Sequence, residues 1–178
     1  MNRSFSVALY LALAFVLEGC THGIHSGTGG WPPASSTSPA GISSSASVVK
    51  VRAADVSIPA GGSADATLSL SISPGYHINA NPATFPYLIA TAVNPGKAEG
   101  IIAGTPIYPM AQKKKFQFAE EPLAVYEGEA QIRLPLRVEA NAGKGARSLP
   151  IELTVQACDT EKCYAPDTLK TSITVDVK

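Results

Sequence analysis

The sequence is poor in charged and aromatic residues, and it contains few cysteines. Charged residues make up 16% of the 178 positions and aromatic residues 7%, and there are three cysteines. The 14 basic residues are balanced by 14 acidic ones, whereas nucleic-acid-binding proteins carry a clustered basic stripe. We therefore expect no nucleic-acid partner. The length of the chain is suited to one folded domain.

The sequence also lacks segments in which apolar residues recur every 3.6 positions, as they do in amphipathic helices. Apolar and polar residues alternate instead, as in ATLSLSIS at 66–73. The same alternation recurs in 131–139, 149–156 and 169–177. Turn-forming groups of Gly, Pro and Asn separate these segments. The pattern predicts an all-β fold, an immunoglobulin-like antiparallel β-sandwich over residues 48–178, in which Pro135 marks an edge strand.

No apolar run is long enough to cross a bilayer as a helix, which takes about 20 residues. Val7 to Leu17 form a shorter uncharged run, as in the core of a signal peptide. The run ends in Leu-Glu-Gly-Cys, which resembles the lipobox before the lipidated cysteine of bacterial lipoproteins, although Glu18 departs from the small or branched residue usual there. We predict a lipoprotein signal peptide over 1–19 and a lipid anchor on Cys20. An ordinary signal peptide cut near residues 12–14 is the alternative.

Residues 20–47 have no apolar period and are dominated by Ser, Gly, Pro and Thr. Such a segment buries too little apolar surface to offset its ordering entropy. We predict a disordered tether between lipidated Cys20 and a domain that begins at residue 48. The domain would then lie in the cell envelope facing the periplasm, and Thr21 favours the outer membrane over the inner one.

If Cys20 carries lipid, two thiols remain, Cys158 and Cys163, in the segment VQACDTEKCYAPD. Strand parity directs residues 152, 154 and 156 away from the core, and Cys158 continues that row. Cys163 lies in the connection to the last strand. Both thiols are therefore predicted at the rim of one hairpin rather than in the interior, with Cys158, at the strand end, the more shielded of the two.

The residues leave three functions open for this pair. An inert structural bridge in an adaptor lipoprotein would close only six residues and contribute about 2 kcal/mol. Zinc takes four ligands, and the domain adds only the remote His77, although a Cu(I) carrier needs few sulfur ligands. A pair whose opening does not unfold the domain suits thiol–disulfide exchange. We favour exchange, without a bound metal or a cofactor.

The cysteine segment VQACDTEKCYAPDT, together with GYHINANPATFPYLIATAV and VYEGEAQIRLPLRV, resembles the N-terminal periplasmic domain of the thiol:disulfide interchange protein DsbD. The resemblance covers roughly residues 50–178. It implies an immunoglobulin-like domain that accepts electrons from the thioredoxin-like domain of a membrane electron-transfer protein and reduces exported client proteins that contain disulfides. It also implies that Cys163 forms the mixed disulfide with the target and that Cys158 resolves it. Such a redox domain needs a partner protein for turnover.

The resemblance further implies an aromatic cap loop over the cysteines. The matching segment is KKKFQFAEEP, so Phe116 or Phe118 is the candidate cap residue. The two phenylalanines also fit the alternative of two core positions on one face of a strand. His77 and Asn79 stand where the best-known members of the family have tyrosines. A histidine after a Pro-Gly turn is predicted to be a solvated or hydrogen-bonded turn residue.

Overall fold

The computed structural model describes residues 44–178 and builds them almost entirely from β-strands. A 3₁₀-helix at Ser45–Ser47 comes first. The strands are β1 (Val49–Ala53), β2 (Val56–Ile58), β3 (Ser63–Ile72), β4 (His77–Asn79), β5 (Ala92–Pro95), β6 (Ile101–Ala103), β7 (Gln112–Lys114), β8 (Leu123–Tyr126), β9 (Glu129–Val138), β10 (Gly145–Val155), β11 (Ala157–Cys158) and β12 (Asp167–Val177). The predicted signal peptide, Cys20 and residues 20–43 of the predicted tether lie outside the described residues.

Two four-stranded sheets form the sandwich. Their strand orders are β1-β3-β9-β6 and β2-β12-β10-β5. Neighbouring strands are antiparallel except for β2 and β12, which are parallel. The alternating apolar residues of both sheets meet in one core, with Leu70 and Ile132 from the first sheet and Ile151 and Ile173 from the second. The predicted all-β, immunoglobulin-like sandwich is confirmed.

The prediction that Pro135 marks an edge strand is wrong. Its strand, β9, lies between β3 and β6. The carbonyl oxygen of Pro135 accepts a hydrogen bond from Gly104, so the proline nitrogen faces the side of β6 as well. Because β6 has already ended at Ala103, the missing N–H costs no bond between regular strands.

A third, smaller sheet has the order β11-β4-β8-β7 and carries the cysteine segment. One face of this sheet packs on the main core through Ile78, Tyr126 and Ala157. The opposite face has its own small apolar cluster, centred on Phe116, Leu123 and Val125, with Phe85, Leu88 and Ala119 partly buried around it. Side chains that alternate along β4 and β11 therefore point either into the main core or under this second cluster.

The folded domain begins before residue 48. Residues 44–47, predicted as part of the tether, include the 3₁₀-helix, and Ser45 is fully buried. The Ser45 Oγ donates to the carbonyl of Ala165 at 2.6 Å and accepts from the N–H of Ala157 at 2.9 Å. The predicted tether is therefore too long at its C-terminal end. Composition does not reveal that a single serine hydroxyl satisfies two backbone groups beside the cysteine segment.

In the part of the chain that the structure describes, no helix has the length and apolar character needed to cross a membrane.

Candidate functional site

Cys158 and Cys163 form a disulfide that closes a short hairpin. The Sγ–Sγ distance is 2.02 Å, and the two Cα atoms are 3.9 Å apart. Backbone bonds hold the hairpin on either side of the bridge: the N–H of Tyr164 donates to the carbonyl of Ala157 at 2.8 Å, and that of Asp159 donates to Lys162 at 2.9 Å. The hairpin therefore has hydrogen bonds that do not depend on the sulfur–sulfur bond.

The Asp159 carboxylate organises the turn between the cysteines. One carboxylate oxygen accepts from the backbone N–H groups of Glu161 at 2.7 Å and Lys162 at 2.9 Å, and the other accepts from the Tyr164 hydroxyl at 2.5 Å. Desolvation raises the pKa of Asp159, but these hydrogen bonds outweigh it and bring the pKa below its ordinary value. The hydrogen bond between Tyr164 and Asp159 raises the pKa of Tyr164 to about 12, so the hydroxyl remains protonated and remains a donor throughout the neutral range.

Sequence reasoning missed this role of Asp159. Aspartate commonly accepts bonds from backbone N–H groups two or three residues further on, and the spacing Asp-Thr-Glu-Lys contains that signal. The contribution of Tyr164 depends on the hairpin bringing its ring back towards the turn, where the Lys162 Nζ also lies 5.4 Å from the ring centroid.

The prediction that both thiols lie at the rim is wrong for Cys158, which is 0% exposed. Its side chain does continue the row that faces away from the main core, because its neighbour Ala157 points into that core. However, the chain leaves the second sheet after Val155 and continues in the third sheet, whose outer face is covered. Cys163 is only partly buried, so the expectation that Cys158 is the more shielded sulfur is confirmed.

His77 is not the solvated or hydrogen-bonded turn residue that we predicted. It lies in β4, directly opposite Cys158 of β11, and is 2% exposed. Its Nε2 is enclosed and has no hydrogen-bond partner among the described residues. Burial lowers the pKa of His77 to about 4, and the imidazole is therefore neutral near neutral pH.

Phe116 and Phe118 lie in the loop 115–122 between β7 and β8, so the alternative that they occupy a strand is wrong. Phe116 is 8% exposed and stacks on His77, with ring centroids 4.0 Å apart and an interplanar angle of 17°. Phe118 is 39% exposed and stacks on Phe116 at 5.5 Å. The loop thus places one ring against the histidine and a second ring nearer the surface.

Cys163 lines a surface cavity of about 270 Å³. The other lining residues are Tyr87, Leu88, Phe118, Ala119, Leu123 and Gln156. Apolar and aromatic groups therefore surround the more accessible sulfur, and Phe118 of the loop 115–122 is one of them. Exposed apolar surface of this kind is suited to contact with another protein.

Gln156, which sequence reasoning treated only as an outward strand residue, connects the parts of this site. Its Oε1 accepts from Asn79 Nδ2 at 3.0 Å and from the N–H of Ile89 at 2.9 Å. Its Nε2 donates to the carbonyl of Tyr164 at 3.4 Å. One side-chain amide thus joins β4, the segment before β5 and the return of the cysteine hairpin.

Residues 44–178 contain no group of three or more His, Cys, Asp or Glu side chains arranged to hold a metal ion. The predicted lipidation site, Cys20, lies outside this range.

A sequence profile of the family described as thiol:disulfide interchange protein DsbD, N-terminal, matches residues 45–174. The match spans most of the chain and includes both cysteines of the hairpin. The chain therefore belongs to the DsbD N-terminal domain family, and the resemblance noted in the sequence is confirmed. None of the curated protein sequences compared with the chain matches it.

Several solved structures are similar to this chain at low identity. The DsbD N-terminal domain of Neisseria meningitidis in its reduced form is 21% identical, over 66% of this chain and 82% of that one, with a TM-score of 0.42. The N-terminal periplasmic domain of ScsB from Proteus mirabilis is 16% identical, over 73% of this chain and 47% of that one, with a TM-score of 0.45. In a complex of the DsbD and PilB N-terminal domains from Neisseria meningitidis, the matching chain is 20% identical, over 61% of this chain and 73% of that one, with a TM-score of 0.39.

Replacing Asp159 by Asn should destabilise the oxidised protein by about 1 kcal/mol near neutral pH, because the turn loses a charged acceptor that is partly screened by solvent. The folded-state pKa of Asp159 is lowered, so its contribution is present above the unfolded-state pKa and is lost as the pH falls through the folded-state pKa. The difference between wild type and Asp159→Asn should therefore shrink in acid. Urea unfolding from neutral to strongly acidic pH measures it.

Glu161→Gln is the matched control, because the Glu161 side chain accepts no hydrogen bond from the described residues although it lies in the same turn. It should leave the free energy of unfolding nearly unchanged. An Asp159→Asn difference that is independent of pH would show that the charge of Asp159 does not hold the turn.

Proposed function

We propose that this chain is a thiol–disulfide exchange domain of the cell envelope. It passes reducing equivalents from a thioredoxin-like or DsbD-type membrane electron donor to exported proteins that contain disulfides. The observation that supports this most directly is the unequal exposure of the pair, since Cys158 is fully buried and Cys163 lines a surface cavity. Exchange begins by attack on, or by, an accessible sulfur. Membership of the DsbD N-terminal family supports the same chemistry.

In the reducing direction, the Cys163 thiolate attacks one sulfur of the target disulfide. A bond forms between Cys163 and that sulfur, and the other target sulfur leaves with the electron pair as a thiolate. The Cys158 thiolate then attacks Cys163 Sγ, and the first target sulfur leaves as a thiolate. The target has gained two electrons, and the Cys158–Cys163 disulfide has formed again.

A donor dithiol reloads the domain by the reverse route. A donor thiolate attacks Cys163 Sγ, the Cys158–Cys163 bond breaks, and Cys158 leaves as a thiolate. The second donor thiolate then attacks the donor sulfur bound to Cys163, which releases the reduced domain and an oxidised donor. Partial exposure of Cys163 favours this sulfur as the point of attack in both directions.

The hairpin can open its disulfide repeatedly without unfolding the domain. The bridge closes a loop of six residues, which corresponds to about 2 kcal/mol. The turn is also held by the Asp159 carboxylate and by backbone bonds across the hairpin. The main core of the sandwich lies on the other side of the third sheet. A redox cycle therefore changes the bridge while the surrounding structure persists.

We further propose that the loop 115–122 shields the pair and moves aside for a partner. Phe116 belongs to a small cluster that is separate from the main core, and the exposed Phe118 stacks on Phe116. At the surface, the Lys115 ammonium donates to the carbonyls of Ala119 and Glu120 and so holds the loop in its folded shape. Segments with few buried contacts open at low free-energy cost. Opening of this loop would widen access to Cys163.

Single-cysteine variants test the exchange function. Cys158→Ala should trap a mixed disulfide between Cys163 and an oxidised thioredoxin-fold protein, because no second thiol remains to resolve it. Cys163→Ala should trap poorly, because Cys158 is buried. Neither change should cost more than about 2 kcal/mol of stability relative to the oxidised protein. Non-reducing gels and urea unfolding measure the two effects.

The variant without either hairpin cysteine is the control and should form no adduct through the domain. Absence of an adduct from both single variants, together with a large fall in melting temperature, would identify an inert structural bridge instead. Tight Cu(I) binding by the reduced pair without any exchange would favour the carrier alternative.

Replacing Phe118 by Ala tests the cap. The change removes a ring from the cavity beside Cys163, so a small thiol such as dithiothreitol should reduce the disulfide several-fold faster. Stopped-flow reduction of the two proteins measures this rate. Ile102→Ala is the matched control, because Ile102 is an exposed apolar residue of β6 in the first sheet. An unchanged or slower rate in Phe118→Ala would argue against shielding.

The cellular position that we propose is lipid-anchored through Cys20 and facing the periplasm, at the outer membrane rather than the inner one. This follows from the signal-peptide pattern, the lipobox-like sequence and the Ser/Gly/Pro-rich segment after it. Cys20→Ser should move the protein from the membrane fraction to the soluble fraction, whereas Cys158→Ser should not. Immunoblots of fractionated cells distinguish the two, and a Cys20→Ser variant that still sediments with membranes would refute the anchor.

A further inference from the structure

His77 and Cys158 are neighbours on one covered face of the third sheet. They are directly opposite in the β4–β11 ladder, and opposed residues place their side chains on the same face, with Cβ atoms about 4.5–5.5 Å apart. Ile78 and Ala157, which follow and precede them in their strands, point into the main core. His77 and Cys158 therefore both point away from that core. The ladder thus places the imidazole on the same covered face as Cys158, whose sulfur must take up or give back an electron pair during the proposed exchange.

The His77 ring is confined and has an unsatisfied nitrogen. Nε2 is buried without a partner among residues 44–178, and leaving a buried polar group unpaired is energetically costly. Phe116 stacks on the ring at 4.0 Å, so the imidazole cannot swing outwards without displacing it. A disulfide sulfur is only a weak acceptor. In the oxidised protein Nε2 makes no hydrogen bond to either disulfide sulfur, whereas a thiolate on Cys158 would be a strong acceptor.

We infer that His77 is a positioning residue for exchange: its Nε2–H donates a hydrogen bond to the Cys158 sulfur when that sulfur becomes a thiolate. The inference rests on the proposed exchange function and adds a residue to it.

The contact acts at a defined step. When a donor thiolate attacks Cys163 Sγ, a donor–Cys163 bond forms, the Cys158–Cys163 bond breaks, and its electron pair leaves on Cys158 Sγ. That anion develops in an enclosed site, and hydrogen bonds to charged groups are stronger than those between neutral groups. No proton moves in this step. Protonation of Cys158 by water afterwards gives the thiol. Cys158 must lose that proton again before its thiolate attacks Cys163 Sγ in the mixed disulfide with the target, which breaks the bond to the target sulfur and forms the Cys158–Cys163 disulfide again.

The surrounding charges are compatible with a neutral donor. Burial lowers the pKa of His77 to about 4; Glu127 and, more weakly, Asp159 oppose this shift, and Lys114 adds to it. Lys114 and Glu127 form an ion pair with each other, which limits the net field of either one. The ring therefore carries a single N–H near neutral pH, and the inferred bond requires that hydrogen on Nε2.

The first test measures the thiolate of Cys158 directly. In a full-length chain with Cys20→Ser and Cys163→Ser, Cys158 is the sole cysteine, and its thiolate is titrated by ultraviolet absorbance. His77→Phe keeps an aromatic ring against Phe116 but removes the donor, so the Cys158 thiolate fraction at a given pH should fall about tenfold. His77→Gln places an amide N–H near the position of Nε2 and should restore most of it.

A merely structural role of His77 would change the melting temperature without changing this titration. A folded His77→Phe variant whose Cys158 thiolate fraction stays within about twofold of the parent would overturn the inference. A failure of Gln to restore any of the loss would do the same, since the donor would then not be the cause.

The second test needs no variant. The chain has three histidines, and ¹⁵N NMR of the full-length wild-type protein distinguishes the two nitrogens of each ring. We expect the His77 hydrogen on Nε2 and a clear shift of that nitrogen when the disulfide is reduced. A hydrogen on Nδ1, or an Nε2 signal that does not respond to reduction, would overturn the inference.

The outcomes separate the inference from the function on which it rests. An adduct trapped by Cys158→Ala, with a Cys158 titration that does not depend on His77, would leave the exchange function standing and remove the role of His77. A titration that does depend on His77, without any trapped adduct, would retain the contact and refute exchange.

Discussion

The Gln156 side-chain amide holds the point at which the chain changes sheets, and the arrangement of the site depends on it. Its oxygen accepts from Asn79 and from the backbone of Ile89, while its nitrogen donates to Tyr164. These bonds tie the end of β10 to β4 and to the return of the hairpin. Because β11 must then pair with β4, the residue after Ala157 is carried beneath the loop 115–122. A side chain that satisfies three polar groups at once leaves little freedom for another path.

This course of the chain gives the two disulfide-bonded cysteines very different surroundings. Cys158 is fully buried in the third sheet, whereas Cys163 lines a surface cavity whose walls are mostly apolar and aromatic. In the exchange that we propose, a partner reaches one sulfur and the other stays protected until the mixed disulfide has formed. The difference in burial supplies both from a hairpin of six residues.

The covering of the site is built separately from the support beneath it. The sandwich core joins two extensive sheets, while the cap belongs to a small cluster around Phe116, Leu123 and Val125. Local opening costs less where few apolar contacts are broken. In the exchange that we propose, the loop would respond to a partner while the strands that position the cysteines keep their register. The stacking of Phe116 on His77 connects these two parts and couples the cover to the groups beside Cys158.

The fold class, the cysteine pair and the family to which the chain belongs could all be predicted from the amino-acid sequence. Alternation along β3, β9, β10 and β12 has a period of two residues, which is a local property that can be counted. The burial of Cys158 depends instead on tertiary contacts that no local sequence pattern reveals. The alternation along the strand correctly predicts that the Cys158 side chain faces away from the main core. It does not show that the chain moves to another sheet at Gln156, nor that a loop covers the outer face of that sheet.

The same limit explains His77, Pro135 and Ser45. A histidine after a turn, a proline in a strand and a serine beside a polar segment each have an ordinary local interpretation. Their actual surroundings come from residues far away in the chain: Cys158 opposite His77, the early end of β6 beside Pro135, and Ala157 and Ala165 around Ser45. Local periodicity specifies which face a side chain takes, whereas long-range packing decides whether that face meets solvent, a core or a reactive sulfur.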